Sequence, residues 1–242
     1  MPIDLLDAQR LARLAERVYQ VTGPVQTADL FPGALRSRTY DTKRHRLRFV
    51  HVEEADRHIV AFRGSLTSGG TLAVARSWGL NLRFRLKRIP FGLNARIHSG
   101  YHEQAGLACS MLSGALAGAK RVSITGHSQG GALALSLAIY FARRRLGRAL
   151  DVTTFGQPMA GNGALCRYLD AHGFWPTERV IADGDGFVLS PPRRLGFRHC
   201  QSPFHLPGGG SAPGAPFGFS PRQTRNRHPI ATYVSEISAL VP

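Results

Sequence analysis

Hydrophobic and polar positions along the 242-residue chain separate into helix-like and strand-like stretches. Near the start, Leu11, Leu14, Ala15 and Val18 recur at helical spacing, with Arg10, Arg13, Glu16 and Arg17 elsewhere, which predicts an amphipathic packing helix. Residues 47–52 alternate and residues 59–62 are continuously apolar; Glu54, Ala55 and Asp56 between them suit a hairpin loop. The second run ends in Arg63, Gly64 and Ser65, where a backbone N–H and a hydroxyl can face a cleft. Residues 66–77 hold two glycines and few charges and read as a mobile cover or a plain loop, with Trp78 and Leu80 anchoring the far end. Residues 82–87 alternate strictly, giving a strand with one basic face, either simply exposed or a cationic rim beside a cleft. Residues 96–102 lead into a helix to about Gly118.

The β-branched run 122–125 reads as a buried strand, and the apolar stretch 132–142 as a helix buried on all sides. That helix closes with Arg143, Arg144, Arg145 and Gly147, an ordinary helix end that accounts for one basic cluster without a ligand. Residues 152–155 predict the next parallel strand, Gly161 and Asn162 the opening of a helix to about His172, and residues 179–182 a further strand ending in Asp183, Gly184 and Asp185. Periodicity fades from Pro191. Residues 203–221 read as an irregular Gly/Pro-rich loop, and 228–240 as a C-terminal helix with His228 at its start. Strand and helix alternation predicts one α/β domain over residues 1–242, with a central, mainly parallel sheet flanked by helices and a lid-like segment at 66–77.

Between the strand at 122–125 and its helix lies Gly126-His127-Ser128-Gln129-Gly130, a G-x-S-x-G pentapeptide. On a strand-to-helix turn this is a nucleophile elbow: Ser128 takes a strained backbone, and positions two before and two after must lack a Cβ. A serine hydroxyl needs a base, which a histidine supplies, and a carboxylate to orient that histidine. Ser128, Asp185 and His228 lie at or beyond strand ends in the order Ser, Asp, His; Asp183 competes with Asp185, and His199 and His205 compete with His228. The first N–H groups of the following helix face the developing oxyanion.

The formal charge of +16 points to an anionic partner or to an arginine bias spread over a solvated surface. Basic runs without interleaved aromatics argue against specific nucleic-acid binding; the reading of another class is an inactive hydrolase-like module that binds nucleic acid or an anionic membrane. Cys109, Cys166 and Cys200 form no C-x-x-C pair, and an odd count argues against a disulfide framework while leaving room for one bridge. No cofactor or metal is expected. His98, His102 and His127 lack ligand spacing, and His98 reads as a hydrogen-bonded packing residue. Residues 1–20 carry no apolar run of signal type and no stretch is long enough to span a bilayer, which predicts a cytoplasmic chain or one exported without a leader.

The ordered set Ala61-Phe62-Arg63-Gly64-Ser65, Trp78, His98-Ser99-Gly100-Tyr101, residues 125–131, Thr154-Phe155-Gly156-Gln157-Pro158, Asp185 with Val188 and Pro191-Pro192, and His228 with Tyr233 resembles the class 3 (fungal-type) lipases of the α/β-hydrolase fold. The resemblance implies Ser128 as nucleophile, Asp185 as triad acid and His228 as base. It implies an oxyanion hole from Ser65 and the Gln129 backbone N–H, and a lid at 66–77. The implied substrates are acylglycerols or phospholipids; the excess charge, separately, favours an anionic membrane interface, and a soluble short-chain carboxylesterase is the narrower alternative. Where this chain has Gln129 the family more often has Leu, and only the backbone N–H is required there.

Overall fold

The computed structural model describes residues 3–20, 22–42, 45–65, 85–90, 93–144, 146, 149–172, 177–206 and 227–241. Strands β1 (Arg36–Thr42), β2 (Leu47–Glu53) and β3 (Arg57–Phe62) form an antiparallel meander. From β3 the sheet continues in parallel through β6 (Arg121–His127), β7 (Ala149–Phe155), β9 (Thr177–Ala182) and β11 (Pro203–Leu206). A second sheet, in the order β10 (Phe197–Arg198), β8 (Gly161–Asn162), β5 (Arg96–His98) and β4 (Leu86–Arg88), lies beyond the end of β7, six residues past Phe155 along the chain. This is the α/β-hydrolase arrangement, a mainly parallel central sheet flanked by helices.

Helices cover both faces of the large sheet, and the pleat divides the core accordingly. On β3, Val60 and Phe62 join the core cluster shared with α2 (Ser99–Leu112), α3 (Gln129–Arg144) and α4 (Gly163–His172). Ile59 and Ala61 point the other way, to α1 (Leu5–Arg17) and α5 (Ile230–Leu240). The apolar stripe Leu11, Leu14, Ala15 and Val18 is fully buried there, as its helical spacing requires. Helix α3 is buried from Gly130 through Ile139, so it has no polar face to give away.

Four expectations change. Residues 203–206 leave the irregular loop and form β11, parallel to β9; Pro at the first position of an edge strand gives up no ladder hydrogen bond, and four residues are too few to show a period. Gly161 and Asn162 pair as β8 before the helix begins at Gly163. The helix after Arg96 ends at Leu112, short of Gly118, and His228 lies outside α5, which starts at Ile230. The lid candidate 66–77, Trp78, Leu80, residues 82–84 and residues 207–221 lie outside the described residues; of the alternating run at 82–87, Leu86 and Lys87 belong to β4. One bridge joins Cys166 to Cys200, tying α4 to the segment after β10, while Cys109 is free and buried.

Candidate active site

Ser128 sits between β6 and α3 with φ at 56°, left-handed backbone that a non-glycine residue rarely adopts. The turn closes at once: the Ser128 N–H donates to the Phe155 carbonyl at 2.9 Å, and the Gly131 N–H to the Ser128 carbonyl at 2.9 Å. The two glycines are steric requirements. A Cβ on Gly126 would run into the backbone of Gly130, and one on Gly130 into the Phe62 carbonyl oxygen. These contacts are backbone to backbone, so no rotamer change relieves them.

The structure brings Ser128, His228 and Asp185 together. His228 Nε2 lies 2.9 Å from Ser128 Oγ, and His228 Nδ1 lies 2.8 Å from Asp185 Oδ2. Asp185 is wholly buried and its oxygens are fully engaged. Oδ1 accepts the Phe187 N–H at 3.0 Å, capping the short 3-10 turn Gly186–Leu189; Oδ2 accepts the Tyr233 hydroxyl at 2.6 Å as well as the imidazole N–H. Burial, reinforced by the Asp185 carboxylate, pushes the Tyr233 phenol well up, so it stays a donor. The Phe187 ring lies 4.3 Å from that of His228.

The competing residues go elsewhere. Asp183 Oδ1 pairs with His205 Nδ1 at 2.8 Å near the surface, and His199 Nε2 donates to the Val188 carbonyl at 2.6 Å. His98 is buried, capping α2 and stacking on Tyr101 at 4.0 Å, while His102 meets the Tyr140 hydroxyl at 3.0 Å. Among the described residues no three His, Cys, Asp or Glu side chains form a group that could hold a metal ion.

Ser65 lies just past β3, beside the elbow. Its hydroxyl donates to Gln129 Oε1 at 2.8 Å, and the Gln129 amide donates to Gln104 Oε1 at 3.1 Å. The Gln129 backbone N–H opens α3, where it has no intrahelical acceptor. A hydroxyl and a helix N-terminus thus converge beside Ser128, an arrangement able to hold an oxyanion.

Tyr19 and Gln104 also serve this site, and neither was singled out by pattern. The Tyr19 hydroxyl donates to His127 Nδ1 at 2.7 Å and fills the space left by the missing Cβ of Gly64. Tyr19 carries no motif, and its place just past the first packing helix is the only signal it gives.

The chain as a whole is similar to known lipases. The family model Lipase (class 3) matches residues 59–194, more than half of the chain. A secreted mono- and diacylglycerol lipase of Fusarium solani is 28% identical over 168 residues, covering 66% of this chain and 47% of that protein. A lipase of Rhizomucor miehei is 29% identical over 156 residues, covering 61% and 41%. The chain thus spans less than half the length of these two relatives. A solved structure of Rhizomucor miehei triacylglyceride lipase shares the fold, with a TM-score of 0.69 at 22% identity over 83% of this chain and 79% of that one. The secreted Fusarium relative overturns the expectation of a cytoplasmic or leaderless chain. The Cys166–Cys200 bridge agrees, because disulfides persist in oxidising compartments. An N-terminal stretch without an apolar run carries no address in either direction.

Proposed function

The chain belongs to the class 3 lipase family, and from that premise we propose that it hydrolyses carboxylic esters of acylglycerol or phospholipid type through an acyl-serine on Ser128. The observation that carries this is the unbroken hydrogen-bond line from Ser128 Oγ through His228 to Asp185 Oδ2. His228 Nε2 takes the Ser128 proton as Oγ bonds to the ester carbonyl carbon. Asp185 holds the Nδ1–H tautomer and stabilises the imidazolium. The carbonyl oxygen, now an oxyanion, accepts from the Gln129 N–H and from Ser65, whose hydroxyl turns from a neutral amide oxygen to a charged acceptor. His228 then gives its proton to the leaving alcohol, and water repeats the sequence to release the acid.

Ser128→Ala removes the nucleophile and leaves the turn backbone in place. Hydrolysis of 4-nitrophenyl esters falls to background while thermal unfolding is unchanged; full activity in that variant would refute the assignment. A chain-length series decides between a lipase and a short-chain carboxylesterase.

A second reading concerns where the substrate is met. Leu93 is 87% exposed at the tip of the β4–β5 hairpin between exposed Arg88 and Arg96, and exposed Leu195 follows Arg193 and Arg194. Residues 85–98 and 186–202 contain no Asp or Glu. This favours an anionic lipid surface, where each nearby Lys or Arg contributes about 1 kcal/mol. Phosphatidylserine vesicles should sediment the protein at low salt, and R88E/R96E should weaken that binding without slowing hydrolysis of a soluble ester. Equal binding to phosphatidylcholine vesicles would overturn it.

A further inference from the structure

The base of the proposed triad is gripped from a second side. His127, the residue before Ser128, is 3% exposed, and both its ring nitrogens are engaged. Nδ1 accepts the Tyr19 hydroxyl at 2.7 Å, so Nδ1 carries no proton. The proton is on Nε2, which donates to the main-chain carbonyl of His228 at 2.7 Å. Burial holds the His127 imidazole well below the ordinary histidine range, and the neighbouring His228 reinforces this. The ring therefore stays neutral beside a second ring, 4.8 Å away, that must become cationic during catalysis.

The main chain of His228 needs such an anchor. The residue lies outside α5, so the helical ladder does not hold its carbonyl. Its neighbour Arg227 is tied back by its own side chain, with Nε donating to the Asp183 carbonyl at 2.8 Å and Nη1 pairing with Glu236. The His127 bond ties the His228 backbone directly to the nucleophile turn. Tyr19 completes the set: its oxygen lies against Gly64, next to Ser65 of the oxyanion hole, so one phenol touches that segment and orients the imidazole that holds the base.

We propose that Tyr19 and His127 are positioning residues that fix the catalytic base through its backbone, Tyr19 setting the His127 tautomer and His127 setting the His228 carbonyl. This rests on the ester-hydrolase reading above. Neither Tyr19 nor His228 lies within the stretch matched by the family model, so the relay joins two segments outside it through one residue inside it.

The test uses the full chain and three variants, His127→Leu, His127→Gln and Tyr19→Phe. His127→Leu removes the donor and lets the imidazole drift; misplacing a catalytic group by an ångström can cost about 10²-fold. The expected result is about that loss in kcat on a soluble 4-nitrophenyl ester, with KM unchanged. His127→Gln keeps an N–H toward the carbonyl and recovers most of the rate. Tyr19→Phe deletes one oxygen and lowers kcat by up to about 10-fold, in the range of one hydrogen bond. A readout independent of turnover accompanies these: the downfield proton resonance of the His228 Nδ1–H bonded to Asp185, present in the parent protein, broadens in His127→Leu and returns in His127→Gln. A parent protein that shows this resonance but no ester turnover sinks the hydrolase reading and leaves the relay standing. A folded His127→Leu with parental kcat and an unaltered resonance overturns the relay. Where His127→Leu does not fold, parental values for Tyr19→Phe overturn it instead.

Discussion

Replacing Asp185 by asparagine tests the proposed chemistry with the least change in shape. Three donors converge on this carboxylate: the Phe187 N–H on Oδ1, and the His228 Nδ1–H with the Tyr233 hydroxyl on Oδ2. An amide offers one oxygen and one NH₂, so it cannot receive all three. With the amide oxygen in the Oδ2 position, the NH₂ faces the Phe187 N–H, donor against donor, in a fully buried place. With the amide turned over, the oxygen keeps Phe187 and the NH₂ donates to His228 Nδ1, while the phenol rotates to accept. The second arrangement satisfies one more pair. A buried unsatisfied donor costs about 1–3 kcal/mol, so the turned amide dominates. It drives the imidazole proton to Nε2, which then meets Ser128 with a donor where an acceptor is needed. The wrong tautomer in a Ser-His-Asp site costs about 10⁴ in kcat, or about 5 kcal/mol at the transition state. The assay is kcat on a soluble 4-nitrophenyl ester, with thermal unfolding alongside. A folded Asp185→Asn within tenfold of the parental kcat would refute the account of the tautomer and of the carboxylate's place in the site.

Further outcomes are expected. His199 is held at about 3 by burial and then by Arg179, and His51 at about 4 by burial and then by His58, against ~6.5 in an unfolded chain. The unfolded chain therefore binds more protons below ~6.5, so stability is full above that pH and is lost as pH falls toward the folded values, by about 1.4 kcal/mol per unit for each such group. Denaturant unfolding at stepped pH should show this slope, and His199→Gln should flatten it by about one proton; an unchanged slope would contradict it. The Cys166–Cys200 bridge closes a separation of 34 residues, worth about 4 kcal/mol in the chain-entropy account, so reduction should lower Tm by roughly 10 °C. Gly130→Ala forces a Cβ onto the Phe62 carbonyl and should lose at least ~2 kcal/mol together with most of the activity, whereas the same change at Gly114, where nothing lies within 4 Å, should do little.

What could be read from sequence follows the range of the interaction. The elbow was legible because every demand on it is local: a β-branched strand, glycines at fixed offsets, an apolar helix directly after. The proposed acid was narrowed to two residues, Asp183 and Asp185, because both follow the end of the strand at Ala182, where an acid can face the cleft. What separates them is the turn that follows, since Asp185 caps Gly186–Leu189 while Asp183 is drawn off to His205. The proposed base was ambiguous for a plainer reason. It arrives after a stretch with no period, and three histidines could end in the same place. Strand β11 was missed because four residues beginning with proline look like the loop around them.

The residues that hold the proposed triad were the least legible, and the reason is physical. A nucleophile, an acid or an oxyanion donor is recognised by its own chemistry at a turn or a strand end. A residue that holds another in place is recognised only by its partner, and here the partners lie far along the chain: Tyr19 reaches His127 across 108 residues, and His127 reaches the His228 carbonyl across 101. Tyr233 stood out only as part of a family pattern, and its hydroxyl on Asp185 Oδ2 is a matter of packing that no local spacing encodes. The proposed triad is thus fixed from one face of the sheet: α1 leads to Tyr19 and α5 carries Tyr233 on that same side, and strand β6 carries His127. This explains why a site read from one pentapeptide needs almost the whole described chain, from residue 19 to residue 233, to hold its atoms at hydrogen-bonding distance.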